Sequence, residues 1–226
     1  MVTIKRKPDF IPNMYEEEAW KQSQLICGID EVGRSCFSGP VVAAAAILKP
    51  RATHELLKDS KLLRPKQREL VYEWLQENSS YGVGVVHHRY IDAHNIYQAT
   101  LVAMKRALMQ LFIKDSQRPS TIVVDAMPLR VEHLNIPVVY FVFGEQYSQS
   151  IAAASIIAKV TRDRLMTRID SVTPGYAYSS NKGYGTVAHK TGIKEYGITV
   201  IHRKRFVQHL TKDMLTEPEQ EVIFDE

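Results

Sequence analysis

The sequence predicts an α/β fold, a mixed five-stranded sheet flanked by helices. Five short apolar runs read as strands, helical periodicity fills several of the segments between them, and no repeat or linker interrupts the series before residue 170. A length of 226 residues admits one large domain or two small ones. The unbroken series favours one domain over 1–226. It comprises a core of about 22–170, a helical C-terminal part of about 171–216 and an acidic tail at 217–226.

In chain order, "SQLICGID" (23–30) and "GPVVAAAAIL" (39–48) read as strands joined by a turn between Gly33 and Gly39. "PKQRELVYEWLQENS" opens with Pro65 in a first helical turn and repeats apolar residues at Leu70, Val71, Trp74 and Leu75, the mark of an amphipathic helix. "YGVGVVHH" (81–88) is a third strand, and 91–112 is a long helix. "TIVVDA" (121–126) and "IPVVYFVF" (136–143) have the short, continuous apolar character of buried strands. A strong helix covers 150–168, and a smaller one 186–195.

Composition excludes several classes. At 45% hydrophobic and 24% charged, the chain is globular rather than disordered. Cys27 and Cys36 lie in or beside apolar runs without CxxC spacing, which suits reduced thiols in a cytoplasmic protein. No apolar stretch follows Lys5, Arg6 and Lys7, so no secretory signal is expected, and Val41–Leu48 is too short to span a bilayer. A net charge of +4 is mild, but its distribution is informative. Lys182, Lys190, Lys194, Arg203, Lys204 and Arg205 face one acid, Glu195, with Tyr184 and Tyr196 interleaved. Such a segment suits a polyanion, cations for phosphates and aromatics for sugars or bases; the plainer alternative is a solvated basic face.

Three acids follow apolar strands: Asp30 after "LICGI", Asp125 after "TIVV" and Glu145 after "VVYFVFG". Strand ends collect ligands in open α/β sheets. Carboxylates gathered there repel one another unless a hard cation neutralises them, and oxygen-rich sites suit Mg²⁺ or Mn²⁺. Adjacent Asp30 and Glu31 share such a site only where strand alternation breaks, and Gly33 offers the break. On the helix after Glu145, Ser155, Lys159, Arg162 and Asp163 share one sector, which suits substrate phosphates. Lys159 and Asp163 also have the spacing of a simple i, i+4 ion pair.

"GIDEVGRSCFSGPVVAAAAIL" (28–48) resembles the signature of ribonuclease HII, the type 2 ribonucleases H. "DSKLL" (59–63), "NIYQATLVAM" (95–104), "VVDAMPL" (123–129), "SIAAASIIAKVTRDRLM" (150–166), "NKGYGTVAH" (181–189) and "GITVIHRKRF" (197–206) extend the resemblance in the family's order. It implies a ribonuclease H-like fold and an endonuclease that cuts the RNA strand of RNA–DNA hybrids and cuts 5′ of ribonucleotides embedded in duplex DNA. The ends left are a 3′-hydroxyl and a 5′-phosphate. It also implies two Mg²⁺ or Mn²⁺ ions held by Asp30, Glu31, Asp125 and Glu145, roughly 4 Å apart. Gly33, Arg34 and Ser35 align with the loop that reads the 2′-hydroxyl through backbone groups, and Tyr184 with the tyrosine that packs on the sugar at the RNA–DNA junction. Lys61, Ser155 and Lys159 are matched to phosphate contacts. A monomer without membrane partners is expected.

The chain departs from the family at two points. Glu145 stands where the family has aspartate, which lengthens a ligand by a methylene. Ser35 stands where the family has glycine, which adds a side chain where the ribose approaches. These departures leave room for a nucleic-acid-binding homologue with weakened catalysis. The related ribonuclease HIII carries an added N-terminal domain, for which the stretch before Cys27 is too short.

Overall fold

The computed structural model describes residues 13–57, 60–131 and 133–211, with Lys61 described by its backbone alone. The acidic tail, the last residues of the C-terminal part, Asp59 and the side chain of Lys61 lie outside the described residues.

The central strand β1 (Ile26–Val32) pairs antiparallel with β2 (Val41–Leu48) and parallel with β4 (Thr121–Asp125). β3 (Ser79–Val86) extends the antiparallel side and β5 (Val138–Phe141) the parallel side, giving the order β3-β2-β1-β4-β5. This is the mixed five-stranded sheet that the sequence predicts.

Helices cover both faces because every residue of β2 is buried. On one face, Ile29, Ala43 and Ala45 meet Ala103, Met104 and Ala107 of α3 (His88–Lys114). On the other, Ala44 and Ala46 share a core with Val71 and Leu75 of α2 (Pro65–Asn78) and with Ala152–Ala154 of α4 (Gln149–Val172). Predicted as continuous, α3 has a break at Asn95 (φ 73°), where the side-chain Oδ1 accepts the Gln98 N–H at 3.0 Å and restarts the helix. A helix that periodicity does not reveal, α1 (Met14–Lys21), docks Glu16 against the start of α4. Buried Glu16 accepts from the Ser148 hydroxyl at 2.5 Å and from the Ser150 N–H at 2.9 Å. A carboxylate there also meets the positive end of the helix dipole.

The C-terminal part is helical: α5 (Tyr178–Asn181), α6 (Val187–Tyr196) and α7 (Lys204–Thr211). Tyr176, Tyr178, Ile193 and Val207 pack with Met166 near the end of α4.

The position of α4 depends on Gly28 in β1. A Cβ there would stand 2.1 Å from the Ser150 carbonyl carbon, so the helix backbone lies directly on the strand. Gly28→Ala is expected to force the two apart, costing about 1–3 kcal/mol or more in urea unfolding. An unchanged unfolding midpoint would contradict this contact.

Candidate active site

Asp30 and Asp125 stand on adjacent parallel strands, each one residue beyond the paired positions Ile29 and Val124. Parallel neighbours run about 4.8 Å apart, so the two carboxylates project from the same face with little between them. Asp125 is the last residue of β4, and its Oδ1 accepts the Gly144 N–H at 2.9 Å. That bond draws the 144–146 turn against the strand end. Glu145 sits in this 3-10 turn rather than at a strand end, because β5 stops at Phe141 and Phe143 adopts a left-handed conformation (φ 62°).

The expected break between Asp30 and Glu31 is not found. The β1–β2 ladder continues unbroken through Asp30–Ala44, Glu31–Ala43 and Val32–Val42. The two side chains therefore leave opposite faces, Asp30 toward α4 and Glu31 toward the α3 side. The turn begins only at Gly33 (φ 91°), where a Cβ would also stand 2.2 Å from Arg162 Nε. Glycine at 33 is therefore required by the packing beneath the loop as well as by its backbone angle.

Burial first, then the charges of Glu31 and Asp125, push the Asp30 carboxyl well above the ordinary carboxylate range. Hydrogen bonds from the Ser155 hydroxyl and from the Glu31 N–H, at 2.7 Å to Asp30 Oδ1, oppose the shift. Ser155 is buried, and its Oγ lies 2.9 Å from Ser60 Oγ. With the Ser155 proton on Asp30, Ser60 is the donor in that pair. Ser155, matched to a phosphate contact, is thus occupied with orienting Asp30, and Ser60 is a supporting residue that the sequence reading missed.

Arg162 does not join a phosphate-facing stripe. It is fully buried, with Nε on Pro40 O (3.0 Å), Nη1 on Lys182 O (2.7 Å) and Nη2 on Ser38 O (3.1 Å). Arg203, counted with the basic segment, is buried too, its Nε on Gly39 O (3.0 Å) and Nη1 on Arg34 O (2.9 Å). Both guanidinium groups hold the 33–40 loop from below. Lys159 makes the i, i+4 pair with Asp163 at 2.8 Å, and its Nζ lies 5.7 Å from the centre of the Tyr184 ring. Arg34 Nη1 approaches Glu31 Oε1 at 3.4 Å, while Ser35 is exposed at the loop tip.

Tyr184 is partly buried, and it flanks a cleft of about 710 Å³ whose lining includes Arg68, Lys159, Arg164, Arg168 and Lys182. A larger groove of about 930 Å³ runs along α3, and none of the described residues that line it is a carboxylate. The acids and the basic cleft are instead joined by α4, through Ser155 and Lys159.

The donor set at the strand ends is made of hard oxygens that repel one another, the chemistry that suits a divalent cation. Among the described residues, no three His, Cys, Asp or Glu form a ready-made metal group.

The family model for ribonuclease HII matches residues 27–209. The chain belongs to the ribonuclease HII family. Ribonuclease HII of Enterococcus faecalis is 46% identical over 205 residues, 90% of this chain and 77% of that one. The crystal structure of ribonuclease H2 from Pyrococcus horikoshii OT3 superposes with a TM-score of 0.66 at 23% identity, covering 85% of this chain and 100% of that one. Bst-RNase HIII in complex with Mn²⁺ gives 0.67 at 21% identity, covering 93% and 75%. The ribonuclease H-like fold is thereby established, and membership makes this chain a type 2 ribonuclease H that depends on divalent metal. No helix among the described residues is long and apolar enough to cross a membrane.

Because the folded chain retains the Asp30 proton to higher pH than the unfolded chain, stability falls as pH rises from the ordinary carboxylate range toward the folded value. Asp30→Asn is expected to raise the melting temperature of the chelator-treated protein at neutral pH, and to raise it less at about pH 4, where the unfolded chain is also largely protonated. Equal shifts at both pH values would show that the gain has another source.

Proposed function

We propose that this ribonuclease HII cuts the RNA strand of RNA–DNA hybrids and cuts 5′ of ribonucleotides embedded in duplex DNA, leaving 3′-hydroxyl and 5′-phosphate ends. The observation that carries the proposal is the side-by-side placement of Asp30 and Asp125 on adjacent parallel strands, where burial first and then the charges of Glu31 and Asp125 bear on the Asp30 carboxyl. Asp30, Glu31, Asp125 and Glu145 are the residues that would hold two Mg²⁺ or Mn²⁺ ions. When bound, such ions lower the pKa of the attacking water and stabilise the leaving 3′-oxygen. Mn²⁺ in Bst-RNase HIII supports the choice of metal.

The chain supplies the rest. Ser155 orients Asp30, and the Gly144 N–H orients Asp125. Backbone groups of Gly33, Arg34 and Ser35 meet the ribose 2′-hydroxyl, which donates and accepts hydrogen bonds. Tyr184 packs on the next sugar, and Lys159 lies beside it for the intervening phosphate. The cleft cations carry the strand onward. All of these groups come from one chain, so a monomer suffices. Two free, buried thiols, Cys27 and Cys36, suit the reducing cytoplasm.

In single-turnover assays with Mn²⁺, a duplex with one ribonucleotide should be cut on its 5′ side and an all-DNA duplex should stay intact, with no cleavage in chelator. Undiminished cleavage by Asp125→Asn would overturn the carboxylate assignment.

Glu145→Ala should lose far more activity than Glu145→Asp, which restores the ligand length the family uses. Parent-like rates for Glu145→Ala would place the fourth ligand elsewhere.

A further inference from the structure

Selecting a junction requires a fixed distance between the loop that reads the ribose and the tyrosine that packs on the next sugar. Tyr184 lies in a short turn after α5, and the structure holds that turn from behind. Gly183 O accepts the N–H of Phe37 at 2.8 Å and that of Ser38 at 3.4 Å. The Tyr184 carbonyl lies 2.9 Å from Nδ1 of His189, a fully buried ring on α6. On its other side, His189 Nε2 stands 3.2 Å from Ser38 Oγ and 3.1 Å from His202 Nε2.

The partners assign the protons. Thr199 N–H donates to His202 Nδ1 at 2.8 Å, so a neutral His202 carries its proton on Nε2. The carbonyl facing His189 Nδ1 demands a proton there, which leaves Nε2 as an acceptor. His202 Nε2–H therefore points at His189 Nε2, and Tyr178 OH donates to Ser38 Oγ at 3.2 Å. Burial holds both imidazoles below their ordinary pKa, His202 at about 4, so the network stays neutral.

We propose that His189 is a positioning residue for junction recognition, tying the Tyr184 turn to the loop that carries Gly33, Arg34 and Ser35. The inference rests on the assignment of Tyr184 to the junction sugar. His189 touches no reacting atom; it fixes where Tyr184 stands relative to Ser38 and, through that loop, to the ribose.

The test is single-turnover cleavage of a single-ribonucleotide duplex and of a long hybrid by the parent, His189→Leu, His189→Asn, Ser38→Ala and Tyr184→Ala, each with its melting temperature. His189→Leu keeps apolar bulk and loses all three polar contacts. It should lower the single-ribonucleotide rate relative to the hybrid rate by roughly ten- to a hundredfold, the scale set by small misplacements. His189→Asn retains an amide N–H for the Tyr184 carbonyl and should recover much of that ratio. Ser38→Ala should shift the ratio in the same direction, and it carries the test if His189→Leu fails to fold. A lowered ratio in Tyr184→Ala with parent ratios in the His189 and Ser38 variants would overturn the inference alone. A parent ratio in Tyr184→Ala would overturn the junction assignment and the inference with it. Equal losses on both substrates, tracking melting temperature, would reduce His189 to a packing role.

Discussion

Backbone contact between α4 and the central strand governs the arrangement of the site. With no side chain at Gly28, the helix rests on β1, and its first half, Ser150 to Ala158, is buried. Small residues at Ala152, Ala153 and Ala154 fill the space left at that spacing, where larger ones would overpack it. From this seat, successive turns of one helix reach the Asp30 carboxyl with Ser155, the cleft with Lys159, and the 33–40 loop and the 182–185 turn with Arg162.

Arg162 and Arg203 show how irregular backbone is made firm without secondary structure. The 33–40 loop and the 182–185 turn expose carbonyls inward that no strand or helix satisfies, and a buried carbonyl without a donor is costly. Two guanidinium groups answer them, Arg162 through Pro40, Lys182 and Ser38, and Arg203 through Gly39 and Arg34. A buried cation without carbonyl partners would itself be expensive. Loop and arginine therefore require each other.

Much of this was legible in the sequence. Apolar runs of strand length located all five strands, and Asp30 and Asp125 stood out because a carboxylate after such a run needs a reason. Pro65 and the Leu70–Leu75 pattern set the limits of α2. The errors have physical causes. Periodicity ranks a residue by its own helix face, so it cannot show that Arg162 finds carbonyls from loops distant in sequence. Alternation suggests that Asp30 and Glu31 need a break, whereas the ladder runs on unbroken and the Glu31 charge bears on Asp30 from the opposite face of the same strand. Helix α1 escaped notice because its apolar face is short and its buried Glu16 reads as surface. His189 and His202 lie in blocks that carry the resemblance, but no local pattern pairs them, since they come together only when α6 and the 199–203 segment fold against Ser38.

The central claim is that the carboxylates at the strand ends form one cation site. Calorimetric titration of the chelator-treated protein with Mn²⁺, in buffers of different ionisation heat, tests it most directly. The account predicts two ions bound per chain, with the number of protons released rising as the titration pH is lowered toward the elevated Asp30 range, and with binding weakened in Asp125→Asn. Binding that is undiminished in Asp125→Asn, or no binding by the parent protein, would contradict it.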